Sequence, residues 1–181
     1  KDSLLTIRQS QKYIDSVDAK HNKFKVWDIL TGYDYKNSTK HYPFGYEGLL
    51  NLGSLSFNTV QGFNFDSGFS FRKWNDEKGK NTSISTKFNY GFSDQRLRVT
   101  GNFSHQFNAI NYARVNISGG TRTAQFNDAE PITKFVNSVS SLFFKDNYMK
   151  LYNLEFAKIN YSQNIANGLN LTGKIGYEQR K

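Results

Sequence analysis

The chain of 181 residues contains no cysteine. That excludes a disulfide framework, a cysteine zinc site and thiol redox chemistry. Its 3 histidines, His21, His41 and His105, are far apart in sequence, and none forms a pair at metal-ligand spacing. Long apolar runs are also missing: no stretch approaches the roughly 18 residues of a helical membrane span. A low mean hydropathy leaves room for a span made of strands, where only every second residue must meet lipid. No phosphate loop, dinucleotide fingerprint or Gly-x-Ser-x-Gly elbow occurs. Ser118-Gly119-Gly120-Thr121 reads as a glycine-bent strand. Asp76-Glu77 lacks the spaced oxygens of a calcium loop and reads as a solvated loop. The expectation is a non-enzymatic protein with no catalytic residue, metal ligand or cofactor. No charged start followed by an apolar run opens the chain, and it ends in strand-like sequence. An internal piece of a longer protein is therefore expected.

Aromatic residues are what the chain has in excess, at 16%. They follow a period of two between Phe63 and Gln125, in four segments of about ten to twelve residues. Phe63, Phe65, Phe69 and Phe71 fall opposite Asn64, Asp66, Ser70 and Arg72. Ile84, Phe88, Tyr90 and Phe92 alternate with Ser83, Ser85, Lys87 and Asn89. Leu97, Val99, Phe103 and Phe107 alternate with Arg96, Arg98, Asn102 and Gln106. Ala113, Val115 and Ile117 alternate with Arg114, Asn116 and Ser118. Successive side chains of a strand point to opposite faces, so each segment has one apolar and one polar face. Turn residues at Lys78 to Asn81, Ser93 to Gln95 and Asn108 to Asn111 separate the segments, which predicts an up-and-down antiparallel meander.

Residues 1–23 form a helical or connecting segment: Asp2-Ser3 can cap a helix in which Leu4, Ile7, Ile14 and Val17 make a narrow stripe. Residues 24–181 form the sheet domain. Phe24 to Lys36 is a strand with Trp27, Ile29, Tyr33 and Tyr35 on one face, and Asn37 to Gly48, with Pro43 and Gly45, is a loop. Leu49 to Phe57 is extended, either as one long strand bent at Gly62 or as a segment leading into the next strand. The period changes over residues 131–144, where Ile132, Phe135, Val136, Val139, Leu142 and Phe143 repeat at helical spacing behind Pro131 and Glu130. Such a helix most simply buries its stripe against the sheet; lying on a membrane or capping a barrel mouth are the alternatives. Met149 to Gln163 is a strand whose apolar parity changes near Phe156-Ala157, which a bulge would reconcile. After a turn at Asn164 to Gly168, Leu169, Leu171, Ile175 and Tyr177 alternate with Asn170, Thr172, Lys174 and Glu178.

The net charge of +9 is spread over almost every segment, so it marks a solvated polar face rather than a focused field. Aromatics and cations fall on opposite faces of the same strands, so they cannot share a stacking groove, and no nucleic-acid partner is expected. The Asn-x-Ser/Thr sequons at Asn37, Asn81, Asn102, Asn116, Asn160 and Asn170 are a by-product of polar residues two apart on one face.

Alternation alone does not say whether the apolar face meets a core or lipid. Segment lengths match the nine to eleven tilted residues that cross a bilayer. Aromatics gather near strand ends (Tyr33, Tyr35, Phe71, Trp74, Tyr90, Phe92, Phe107, Tyr112, Tyr177), as an interface girdle requires. The polar face is rich in small and amide side chains, like a wet lumen.

Several runs carry a resemblance: Phe57-Asn58-Thr59-Val60-Gln61-Gly62-Phe63-Asn64, Ile117-Ser118-Gly119-Gly120, Gln125-Phe126-Asn127, Leu142 through Asn147-Tyr148-Met149-Lys150-Leu151-Tyr152, and Asn167-Gly168-Leu169. From about Asp15 to its end the chain resembles an uncharacterised outer-membrane family of the Bacteroides–Flavobacterium group. The family is similar in build to TonB-dependent receptors, with a carboxypeptidase-regulatory-like domain ahead of a large barrel. The resemblance implies a location in the bacterial outer membrane and an architecture, and no reaction. The combined expectation is all-β: a segment of an antiparallel up-and-down transmembrane β-barrel with an N-terminal helix and one helix in a long connection. Phe63, Phe65, Phe69, Phe71, Ile84, Phe88, Tyr90, Phe92, Leu97, Val99, Phe103, Val115, Ile117, Leu169, Leu171 and Ile175 would face lipid. Asn64, Arg72, Lys87, Asn89, Arg98, Asn102, Arg114, Asn116 and Lys174 would face the lumen. The partners are the bilayer and other outer-membrane or surface proteins, and the role is structural, transport-related or scaffolding. The alternative is a soluble β-barrel or sandwich binding module with the aromatic face inside.

Overall fold

In the computed structural model, residues 10–50, 54–75, 77–127, 129 and 131–181 are described. Nine antiparallel strands form one open sheet, β1 Tyr33–Asn37, β2 Tyr42–Tyr46, β3 Leu55–Asn58, β4 Gly62–Asn75, β5 Lys80–Gly91, β6 Arg96–Gln106, β7 Arg114–Gln125, β8 Leu151–Ala166 and β9 Leu169–Arg180. The order is β1-β2-β4-β5-β6-β7-β8-β9, with β3 folded back on the start of β4. The expected meander is β4 to β7, and it continues through the last two strands. The helices among the described residues are α1 Gln11–His21, α2 Asp28–Thr31 and α3 Lys134–Val139, with a π-helical turn at Ser140–Phe144 extending α3.

The register shows how the alternation becomes two continuous faces. Tyr35, Phe44, Phe71, Ile84, Phe103, Ile117, Ile159 and Ile175 are successive cross-strand partners from β1 to β9. A polar row runs beside it through Arg72, Ser83, Ser104, Asn116, Asn160 and Lys174. Cross-strand partners share a face, so the two predicted residue sets separate onto opposite sides, Leu169 lying past a register shift at Asn164/Ala166. Trp74 pairs with Asn81 and has the parity of Arg72, so it belongs to the polar side and not to an aromatic girdle.

Several local expectations change. The strand predicted from Phe24 begins only at Tyr33. Asp28 Oδ2 accepts a hydrogen bond from the Lys25 backbone N–H at 2.6 Å, Thr31 Oγ1 donates to the Trp27 carbonyl, and a single helical turn forms between them. The expected loop at Asn37 to Gly48 contains β2. Its Pro43 stands opposite Lys36, whose own N–H and C=O bond the Asn22 side chain, so the proline removes no bond of that pair. Phe44 and Tyr46 stack on Phe69 at 6.0 and 5.1 Å, contacts worth about 0.5–1.5 kcal/mol each beyond their area. β3 is neither part of a bent long strand nor a lead-in, but one arm of a hairpin whose turn is fixed by Asn58 Oδ1 accepting from Val60 and Gln61 N–H. β8 runs on to Ala166, through the predicted turn at Asn164, whose side chain is held by Asn170 at 2.8 Å.

No bulge interrupts the β7–β8 register at Phe156-Ala157. The irregularity lies across the strand pair. The β6–β7 ladder stops at Thr100↔Gly120, and Gly120 has φ +130, which only glycine adopts freely. Beyond it Thr121, Arg122 and Thr123, residues of both parities, border the same hollow as Lys87, Asn89 and Arg98. The β6 partner is thus lost at Gly120, which is itself the cross-strand partner of Phe156.

The N-terminal helix starts at Ser10, whose hydroxyl accepts from the Tyr13 N–H. The predicted cap at Asp2-Ser3, with Leu4 and Ile7, lies outside the described residues. α1 docks by polar contacts: Asp18 accepts from the Ser38 N–H and hydroxyl at 2.6 and 2.9 Å, and Asn22 bonds both backbone groups of Lys36. That covers one position on the outer edge of β1, a usual protection for an exposed strand edge.

Candidate functional site

The most enclosed side chains of this sheet are polar. Arg98, Gln61, Asn64 and Asn137 are the largest side chains with almost no exposure, whereas Phe63, Phe69, Ile84, Leu97, Ile117 and Ile175 stand exposed on the other face. In a water-soluble sheet the distribution is the reverse. The polar residues gather at one end, where α3 lies over the β3–β4 hairpin.

Amides knit this end together, because a buried amide must find a partner for each polar atom. Asn58 Nδ2 donates to Gln61 Oε1 at 3.0 Å, Gln61 Nε2 to Asn89 Oδ1 at 2.6 Å, and Asn89 Nδ2 to Asp66 Oδ1 at 2.9 Å. Ser56 donates to Asn64 Oδ1 at 2.7 Å. Asp66 then forms an ion pair with Lys134 at the start of α3. Arg98 is only 2% exposed as a side chain; it pairs with Asp94 and donates through Nε to Asn153 Oδ1 at 2.8 Å. Thus β6, the β5–β6 turn and β8 are tied through one guanidinium.

α3 is attached by the same chemistry. Thr133 caps it, accepting from the Val136 N–H, so the helix begins after the predicted Pro131, while Glu130 lies outside the described residues. Ser138 Oγ accepts from the Phe57 N–H at 2.8 Å. Asn137 Oδ1 accepts from the N–H groups of both Tyr148 and Met149 at 3.0 Å, which fixes the path of the Asn147-Tyr148-Met149 run. Gln125 Nε2 donates to the Ile132 carbonyl at 2.7 Å. The predicted stripe is not what docks: Phe135, Val136, Leu142 and Phe143 are exposed. Sequence reasoning missed Asn137 and Ser138. Their only signal was their place on the polar side of the helix.

Two polar hollows result. One of about 210 Å³ lies between α3 and the hairpin, lined by Ser56, Asn58, Gln61, Thr123 and Gln125. Another of about 270 Å³ lies on the polar face by Lys87, Asn89, Arg98, Arg122 and Lys134. The register places Arg72, Asn102, Arg114, Asn116 and Lys174 on that face further along, outside both hollows. Among the described residues no three His, Asp or Glu side chains gather as a metal site. His105 bonds Thr82 at 2.8 Å and sits between the Phe103 and Phe107 rings.

No curated protein and no solved structure matches the chain. Residues 27–181 match the C-terminal domain of a family of unknown function, DUF5686, and the chain belongs to that family.

Proposed function

We propose that this sheet is a segment of an outer-membrane β-barrel, with the aromatic face against lipid and the polar face toward a lumen closed at one end by α3. The observation that carries the reading is the inverted burial: an arginine and three amides are enclosed, while in the apolar row crossing the sheet Ile84, Ile117, Ile159 and Ile175 are exposed and Phe71 and Phe103 half-exposed. Lipid makes that row favourable, because apolar surface leaves water at about 25 cal/mol per Å². Strands of 11 to 16 residues from β4 to β9 suffice to cross a hydrocarbon layer at a barrel's tilt.

The edge of β9 supports a larger assembly. Lys181 and Asn153 exchange both backbone bonds, so in the β8–β9 ladder the odd residues of β9 face β8. The N–H and C=O groups of Thr172, Lys174, Gly176 and Glu178 then point outward, where no strand of the described residues pairs with them. Within lipid each must be satisfied, so a further strand joins there. The role is non-enzymatic: structural, transport-related or as a scaffold for surface proteins. The resemblance noted in the sequence adds a receptor-like build with a regulatory-like domain ahead of the barrel.

Fractionation of the parent protein tests this. Release from membranes only by detergent, with different gel mobility before and after heating, is the expected result. A protein that stays in solution without detergent refutes it and turns the aromatic face inward, as in a soluble binding module.

A further inference from the structure

The helix α3 is amphipathic in the wrong sense for water. Its polar residues make the attachment: Asn137 has 0% exposure, Ser138 holds the Phe57 backbone and Lys134 pairs with Asp66. Its apolar residues turn outward, with Phe135 75% exposed, Phe143 77% and Phe144 69%. A helix covering a sheet in water presents the opposite arrangement.

The outward side is continuous with the apolar face of the sheet. Leu55, Phe57 and Phe63 belong to the β3–β4 hairpin, and Phe63 heads the same row of parity as Phe65 and Phe69. Between these residues and Val139, Leu142 and Phe143 runs an open apolar groove of about 510 Å³. Beyond the π-helical turn the chain changes character. Lys145 and Lys150 are exposed on either side of the exposed Tyr148. Lys and Tyr are the side chains that settle at a headgroup layer, with apolar stems toward the acyl chains and polar tips in water.

We infer that α3 and the following turn are a lipid-anchoring element: Phe135, Phe143 and Phe144 enter the outer part of one leaflet, an acyl chain lies in the groove between the helix and the hairpin, and Lys145 and Lys150 meet phosphate headgroups. This rests on the membrane reading and adds a depth and a ligand to it. The inverted polarity of the helix, the continuity of the groove with the sheet's apolar face and the basic-aromatic border all fit a bilayer lipid. Anionic headgroups are the counterpart that a bilayer offers to Lys145 and Lys150, which flank the Tyr148–Asp146 hydrogen bond.

The absence of cysteine allows single labels. Phe143→Cys and Phe144→Cys, with Ile117→Cys on the sheet, carry an environment-sensitive fluorophore in the intact protein reconstituted into phosphatidylethanolamine–phosphatidylglycerol vesicles. Lipids brominated at different chain depths and aqueous iodide serve as quenchers. The expected result is quenching at 143 and 144 chiefly by bromine near the headgroup end, and at 117 chiefly by bromine deeper in the chain. If 117 is quenched by lipid while 143 and 144 answer only to iodide, the anchoring inference fails and the membrane reading stands. If 143 and 144 are shielded from both quenchers, a protein segment covers the helix and the inference fails. If no position answers to brominated lipid, both readings fail. All three substituted positions are exposed side chains, so loss of the native fold is not the expected outcome; Phe135→Cys provides a second site on the helix itself.

Discussion

Replacing Ile84 by arginine separates a lipid-facing sheet from a water-facing one by several kcal/mol. Ile84 is 45% exposed and lies between its partners Phe71 and Phe103 on the apolar face. β5 runs from Lys80 to Gly91, with Thr86 near its middle. Two residues at about 3.4 Å each, projected through a strand tilt of about 40°, place Ile84 roughly 5 Å from that middle. The hydrocarbon half-thickness is about 15 Å. The guanidinium thus starts deep in the layer, and the expected loss is about 2–4 kcal/mol, as for arginine near the midplane of a barrel. In water the same change at a half-exposed site alters stability by no more than about 0.5 kcal/mol. Ser85→Arg is the control: its neighbour on the chain points to the polar face, opposite Asn102, where arginine meets a wet surface. The assay is reversible urea unfolding in vesicles, read by the heat-dependent gel shift. Equal midpoints for Ile84→Arg and the unsubstituted protein would refute the assignment of faces, whatever fractionation had shown.

Other consequences follow from single contacts. Arg98→Met strands the Asp94 carboxylate and the Asn153 carbonyl oxygen, and a loss of about 3 kcal/mol in the same unfolding assay is expected; Arg98→Lys should not restore it, since one ammonium cannot reproduce two diverging guanidinium bonds. Gly120→Ala requires φ +130 of a residue with a Cβ and sets that atom 2.1 Å from the Val99 carbonyl oxygen, so a loss of at least about 2 kcal/mol is expected; Gly101→Ala, with open space around it, should be close to neutral. The docking of α1 should depend on acid. The Ser38 N–H chiefly, helped by the Ser38 hydroxyl and by Lys36 and His21, holds the Asp18 carboxyl below its ordinary value, against the opposing effect of burial, which ranks next after that N–H. Its contribution is present above the unfolded pKa of about 3.9 and is lost as pH falls through the lower folded value. Protection of the Gln11–His21 amides, relative to their intrinsic exchange rate at each pH, should therefore fall toward acid, and Asp18→Asn should lower it already at neutral pH.

The parts of this fold that sequence revealed are those where one rule acts alone. Period two over four consecutive segments survives because the register aligns most apolar residues of β4 to β7 with one another, as in the row from Phe71 to Ile117. Where two rules compete, the local signal misleads. Pro43 and Gly45 read as loop, yet β2 forms because the proline faces a partner whose bonds go elsewhere and because Phe44 and Tyr46 stack on Phe69. The parity change in β8 was visible, but no bulge accompanies it: the break lies on the neighbouring strand, where the β6–β7 ladder stops at Gly120, and no pattern within β8 identifies the partner of Phe156.

The helix gives the sharper case. Its apolar spacing was legible, and water-based reasoning assigns that stripe to the interior. The side that docks carries Asn137 and Ser138, residues with weak intrinsic helix preference. They are tolerated there because the backbone N–H groups of Tyr148, Met149 and Phe57 need acceptors. The polar end of the sheet obeys the same accounting: Asn58, Gln61, Asn89 and Asp66 satisfy one another in sequence, and Lys134 closes the chain. An interior built this way gains stability from satisfied hydrogen bonds, each worth about 1 kcal/mol net. The buried apolar cluster is small, Ala124, Tyr152 and Leu154 with Phe156 against them, while the larger apolar surface, Phe143, Ile117 and Ile175 included, lies on the other face of sheet and helix. Sequence periodicity records which residues share a face. Which face is inside depends on the solvent, and a buried arginine opposite an exposed row of isoleucines is the observation on which lipid is proposed.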